Sequence, residues 1–144
     1  MENFTGQCAC GAVKIQFDLP KADGIPKQAL CHCIFCKRVT GACFTRSIVV
    51  PQSSISFPAA VPQLYVHSPS LKWHFCSACG GQLFSENAVL AGKAIVRVGT
   101  LDRQEEFEEV QLQLFCKRTN GWVKGALEAE NGRFDEFAQP EVVA

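Results

Sequence analysis

The sequence has no surplus of charge, no long apolar run and no repeat, and each absence excludes something. Its 144 residues carry 14 Lys and Arg against 14 Asp and Glu, so no net field would draw the protein onto nucleic acid or an anionic membrane. No stretch approaches the roughly 20 apolar residues of a membrane-spanning helix. The opening Met1-Glu-Asn-Phe-Thr-Gly-Gln-Cys8 lacks the basic start and apolar run of a signal peptide. The expectation is a soluble cytoplasmic protein whose partners include neither nucleic acid nor membrane. Linkers and low-complexity tracts are also missing, so residues 1–144 are expected to form a single domain, long enough to bury a core without crosslinks. The more polar tail after Gly121 is expected to wrap over its surface.

Helical periodicity is scarce. Only Asp102 to Glu109 reads as a helical turn or two, with Asp102 as its cap. The rest reads as strands cut short by Gly and Pro. Ala12 to Asp18 alternates, with Val13, Ile15 and Phe17 on one face. Ala42 to Val50 is stopped by Pro51, and Ile55 to Phe57 by Pro58. Gln63 to Ser68 and Leu71 to Phe75 flank the turn-forming Ser68-Pro69-Ser70. Gly81 to Ser85, Ala94 to Leu101 and Val110 to Lys117 complete the set. Strands at such short intervals predict an all-β domain of small packed antiparallel sheets.

Cysteine is abundant, with nine in the chain. The odd count and a reducing compartment argue against a disulfide framework. Seven of the thiols are clustered, as Cys8-Ala9-Cys10, Cys31-His32-Cys33-Ile34-Phe35-Cys36 and Cys76-Ser77-Ala78-Cys79. Thiols one or two residues apart make poor disulfides with each other and good chelators. No βαβ pattern surrounds Cys76 and Cys79, against a thioredoxin-like use of that pair. Thiolate-rich sites without other signatures favour zinc over iron.

Zinc takes four ligands in a tetrahedron. Cys8 with Cys10, read as an extended pair, and Cys76 with Cys79 each offer half of a closed site. Cys31, Cys33 and Cys36 offer three ligands from one loop, the pattern of a metal that keeps a position for water or substrate. Spacing alone also allows Cys31 and Cys33 to close with Cys76 and Cys79. His32 on an extended segment would point away from its neighbouring thiols, and His74 reads as a strand residue. Cys43 and Cys116, in apolar strand contexts, read as buried inert thiols. Trp73 and Trp122 are candidates for core packing or a pocket wall.

Three runs in this order, Gly6-Gln7-Cys8-Ala9-Cys10-Gly11-Ala12-Val13, Cys31 to Ala42, and Phe75-Cys76-Ser77-Ala78-Cys79-Gly80 with Leu83-Phe84, resemble the glutathione-dependent formaldehyde-activating enzyme family, which includes the domain of centromere protein V. The resemblance runs from Gly6 to Trp122. It implies a mainly β tent fold with two zinc ions. It also implies the partition, with Cys8, Cys10, Cys76 and Cys79 on a structural zinc and Cys31, Cys33 and Cys36 on a catalytic one. The implied activity is that of a carbon–sulfur lyase, whose named reaction joins formaldehyde and glutathione reversibly into S-hydroxymethylglutathione.

Three thiolates on one divalent ion leave net negative charge, which weakens Lewis acidity unless donors offset it. Lys37 and Arg38, beside Cys36, are the nearest candidates, and Arg38 is taken as a catalytic residue. Thr40 and Gly41 are expected to shape the loop entering the next strand. No segment reads as a clamp for the glutathione peptide, so glutathione enters as a candidate co-substrate within a broader class of thiol adducts and small carbonyl compounds. The alternative function is a non-catalytic binding or scaffolding module braced by zinc. Balanced charge argues against a chromatin role. Sequence does not define the oligomeric state.

Overall fold

The computed structural model describes residues 1–124. Two sheets share one core. The smaller joins β1 (Glu2–Gln7), β2 (Lys14–Leu19) and β5 (Ile55–Ser56) in that order, antiparallel throughout. The larger is built from β3 (Gln28–Cys31), β4 (Thr45–Pro51), β6 (Gln63–Ser68), β7 (Leu71–Phe75), β8 (Gln82–Asn87), β9 (Lys93–Arg97) and β10 (Val110–Leu114). Its spatial order is β10-β3-β4-β9-β8-β7-β6. A helix, α1 (Ile34–Thr40), links β3 to β4, and α2 (Gly121–Lys124) follows β10.

Alternation along the strands assigns the two faces of the large sheet to different tasks. Ile48 and Val50 of β4, Ala94 and Val96 of β9, and Phe84 of β8 point to one face. There they pack with Phe4, Ile15 and Phe17 of the small sheet in the main buried cluster. Phe4 stacks on Phe17 with ring centroids 5.4 Å apart. Each of these side chains larger than Ala94 contributes about 1.5–3 kcal/mol by leaving water, so this layer carries the fold. The opposite face is free to be a site. Cross-strand partners Ala29, Ser47 and Arg97 form one row on it, and Val49, Ile95, Ser85 and Trp73 form the next.

The mainly β expectation holds, and β6 and β7 have the expected limits. Four expectations need correction. Asp102 to Glu109 forms only a short 3-10 turn, Gln104–Glu106. The strand expected to reach Leu101 ends at Arg97, where a 3-10 turn, Val98–Thr100, replaces it. The strand from Val110 stops at Leu114, because Phe115 adopts a left-handed backbone (φ 57°) that no strand continues through, and Cys116 opens a 3-10 turn. The sheets are not wholly antiparallel: β10 pairs with β3 in parallel, as strands joined by a long crossover can. Strands β1 and β3 and helix α1 had no sequence counterpart. Among the described residues, no helix is long and apolar enough to cross a membrane. The expected wrap of the tail beyond residue 124 lies outside the described residues.

Candidate functional site

Two turns of the same form bring four cysteines together. After β1, Cys8 N–H donates to Val13 O (3.0 Å) and Gly11 N–H to Cys8 O (3.0 Å). After β7, Cys76 N–H donates to Gly81 O (2.9 Å) and Gly80 N–H to Cys76 O (2.8 Å). Each turn closes on a glycine with positive φ, 75° at Gly11 and 73° at Gly80, a conformation in which a Cβ would be strained. Cys8 and Cys10 therefore sit on a turn rather than on the extended segment expected.

The Sγ atoms of Cys8, Cys10, Cys76 and Cys79 all lie within 4.8 Å of one another. Cys8 Sγ is 3.6 Å from Cys10 Sγ, which is 3.8 Å from Cys76 Sγ. A zinc–sulfur bond of about 2.3 Å gives a tetrahedron with sulfur–sulfur edges of about 3.8 Å, so the group could hold a metal ion of that size. Backbone N–H groups prepare it for charge. Gly81 and then Cys10 amides pull the Cys79 thiol down to about 6. Burial pushes Cys8 up, but the Val13 amide and the Cys76 and Cys10 thiols outweigh it and the net shift is down. The Ala12 amide lowers Cys10, yet the neighbouring sulfurs of Cys8 and Cys79 carry it up to about 11.

The second group has three members. Cys31 ends β3, Cys33 caps α1, and Cys36 lies in the first turn of that helix. The Cys36 amide donates to Cys33 Sγ at 3.3 Å, so the capping bond also fixes the spacing of two sulfurs. The three Sγ atoms lie within 4.8 Å of one another, and no fourth Cys, His, Asp or Glu among the described residues joins them. The three come from a strand end, a cap and a helix, not from one loop. The Cys31 and Cys36 thiols both donate to Cys33, holding it down at about 2. The same contacts, together with burial, push Cys31 far up. Cys36 also rises, because Cys33 and burial outweigh the lowering contact with Cys31. The trio therefore gathers its negative charge on Cys33, with Cys31 and Cys36 as its thiol donors.

All three line a cavity of about 410 Å³ on the second face of the large sheet. Its floor carries Thr45, Ser47 and Val49 of β4 and Ile95 and Arg97 of β9, and its wall includes Trp73, Leu114 and Phe115. Phe35 of α1 meets His67 of β6 edge-on, at 4.5 Å between centroids, and His67 stacks on Trp73 at 5.5 Å. These contacts join the helix to the far edge of the sheet.

Arg97 is the buried charge of this cavity, 7 % exposed. Nη1 donates to Ser47 Oγ (2.8 Å) and Nη2 to Ser85 Oγ (3.3 Å), while the buried Nε has no protein partner among the described residues. Burial lowers its pKa, and the charges of Cys36, Cys31 and Cys33 oppose that shift. Arg97 is not among the residues expected from sequence, because the Ala94 to Leu101 pattern does not show that its face meets the distant Cys31 to Cys36 motif. An arginine within an otherwise apolar strand was the available signal.

Arg38 is exposed and does not line the cavity. Lys37 turns to the C-terminal segment, bonding Arg118 O and Asn120 Oδ1. His32 is fully buried outside the trio, with Nε2 3.1 Å from Gln113 Oε1. His74 pairs with Glu86 at 2.6 Å and stacks on Phe84. Cys43 is half-buried and Cys116 buried, its thiol donating to Gln113 O at 3.5 Å. Thr40 Oγ1 donates to Cys36 O (2.7 Å), and Gly41 caps α1. Trp73 is in the cavity wall, whereas Trp122 is 72 % exposed.

The crystal structure of a Rhodobacter sphaeroides protein superposes on this fold with a TM-score of 0.59 and 26 % sequence identity, covering 74 % of this chain and 96 % of that one. No curated protein matches the chain. The family model described as glutathione-dependent formaldehyde-activating enzyme matches residues 3–118, a span that contains both cysteine groups and Arg97. The chain belongs to the glutathione-dependent formaldehyde-activating enzyme family.

Proposed function

We propose that the protein is a zinc-dependent carbon–sulfur lyase that joins a small carbonyl compound to a thiol and splits the adduct again, with formaldehyde and glutathione as the reference pair. One observation carries the reading: three cysteine sulfurs converge, with no fourth ligand among the described residues, at the wall of a cavity that also holds a buried guanidinium. A scaffold has no use for that combination. Cys8, Cys10, Cys76 and Cys79 complete a four-sulfur set and suit a structural zinc.

The reaction forms one carbon–sulfur bond and moves the thiol proton to the former carbonyl oxygen, with no change of oxidation state. Cys31, Cys33 and Cys36 would hold a zinc ion, which would supply Lewis acidity and favour the deprotonated form of an incoming thiol. Arg97 offsets part of the charge of three thiolates, which would otherwise weaken that acidity. Its charge would stabilise an oxygen that becomes negative as the carbon–sulfur bond forms. Ser47 and Ser85 hold the guanidinium in one orientation, so little reorganisation is needed. Val49, Ile95 and Trp73 keep water from that charge.

Metal counting and exchange NMR test the reading together. Two zinc ions per chain are expected, with faster interconversion of formaldehyde, glutathione and their adduct than in buffer. A sample with both sites filled that left the exchange rate at its uncatalysed value would sink the proposal.

A second reading, a zinc-braced binding module, draws on edge strand β6, where Leu64, Tyr65 and Val66 are 45 %, 51 % and 54 % exposed. Cys33→Ser separates the two. Turnover lost with the fold retained excludes the module, and unchanged turnover excludes the lyase.

A further inference from the structure

The cavity is far longer than formaldehyde needs. From Thr45 beside the trio to Val49, β4 advances four residues, about 13 Å at about 3.3 Å per residue. Arg97 sits opposite Ser47 near the sulfur end, and Ile95 opposite Val49 one step further along the same face. Beyond them the lining is Trp73, Leu71 and Leu90. Thr45, at the sulfur end, keeps a buried hydroxyl without a partner among the described residues, but the polar groups further along this floor are engaged. Ser47 and Ser85 bond Arg97, and Asn87 Oδ1 accepts from Val89 N–H at 2.9 Å.

Charge is distributed to match. No Asp or Glu lines the cavity among the described residues, so an ammonium group inside it would find no carboxylate. The remaining cations of the lining, Lys117 and Arg118, are exposed at the mouth. A thiol bearing carboxylates and an ammonium is therefore suited to the mouth and not to the trough. A carbonyl oxygen held near the Arg97 charge leaves the apolar floor from Ile95 and Val49 onward for its carbon substituent.

We propose that the carbonyl substrate is an aldehyde bearing an apolar chain or ring, which lies along Val49, Ile95, Trp73, Leu71 and Leu90. This rests on the lyase reading and names its substrate class. In the step, the thiol sulfur bonds to the aldehyde carbon, the carbonyl π pair becomes a hydroxyl, and the thiol proton ends on that oxygen. The product is a hemithioacetal with its apolar group in the trough, and the reverse step returns the same two reactants.

The test uses zinc-loaded full-length protein, with glutathione as the thiol and formaldehyde, propanal, pentanal and benzaldehyde as carbonyl partners. Exchange NMR gives kcat/KM for each. Burial of a methylene contributes about 0.8 kcal/mol, so kcat/KM is expected to rise about fourfold per methylene added after the first carbon. A flat or falling series overturns the proposal while leaving the lyase reading intact. A parallel measurement needs no turnover. In a Trp122→Phe background, Trp73 is the remaining tryptophan of the two in the chain, and its fluorescence reports binding of the unreactive alcohols propanol, pentanol and benzyl alcohol. Affinity that climbs with apolar size, with no aldehyde turned over, supports the apolar trough and refutes the lyase. Equal and weak response to all three alcohols overturns the trough.

Discussion

Arg97 lines the cavity from a strand whose own sequence does not point to the cysteines. It is buried, fixed by two serines, and shares the cavity with the three sulfurs, whose charge acts on it. Arg97→Met leaves that charge without a counter-charge, so zinc affinity at the trio should fall while the four-cysteine site stays filled. A metal titration would then read one tight zinc in place of two. Loss of one preorganised donor to a developing oxyanion typically costs about 10²–10³ in rate, and kcat/KM should fall by that order even at saturating zinc. Arg97→Lys keeps the charge but not the two-serine fork, and should recover zinc binding better than rate. The seven clustered cysteines were legible because ligand spacing is local. Arg97 was not, because it reaches the trio through the β4–β9 register, with Ser47 opposite it. Arg38 seemed closer because it is two residues from Cys36, but residues i and i+2 of a helix do not face each other. Once Ile34–Thr40 is a helix, Arg38 is carried round to solvent.

At the scale of elements, legibility followed length and pattern. Strands β6 and β7, with Ser-Pro-Ser between them, could be read to the residue. Strand β3 has four residues and α1 seven, too few for periodicity to declare itself. Both were hidden under a cysteine motif read as a loop. The helix nonetheless decides the geometry of the trio, since its cap is Cys33 and its first turn holds Cys36. Its other end is set by Gly41, at φ 69°, whose N–H closes on Lys37 O at 2.8 Å. Gly41→Ala places a Cβ in a left-handed conformation, at a cost of about 1–2 kcal/mol. Nothing lies within 4 Å of that Cβ, so the cost is conformational and not a clash. The expected result is a modestly lower melting midpoint, with weaker zinc binding at the trio because the helix that spaces Cys33 and Cys36 frays more readily. Equal loss at both metal sites would contradict this assignment.

At the scale of the molecule, what the sequence could not reveal was the arrangement of faces. Alternation placed Val13, Ile15 and Phe17 on one side of a strand, but not the second sheet they meet. Nor could it foresee that β10 would return to run parallel with β3 and bring Leu114 and Phe115 to the cavity wall. The layered result gives the two cysteine groups opposite responsibilities. Cys8 and Cys76 belong to the main buried cluster, 2 % and 1 % exposed, and tie the turn after β1 to the turn after β7. A metal clip between points so distant in sequence closes a long loop. Structural zinc in small domains is worth about 10–16 kcal/mol of apparent binding free energy, as large as the whole stability of a typical domain, about 5–15 kcal/mol. Cys76→Ser should therefore abolish the folded state, whatever happens at the other centre. The trio lies on the opposite face, where β3, α1 and the cavity meet, and the two-sheet core does not pass through it. Cys33→Ser should lose one zinc and all turnover while keeping a cooperative thermal transition. Circular dichroism melts with and without a chelator, paired with metal analysis, distinguish the cases. If Cys33→Ser unfolds as completely as Cys76→Ser, both centres are structural, and the open three-sulfur site has no claim to chemistry.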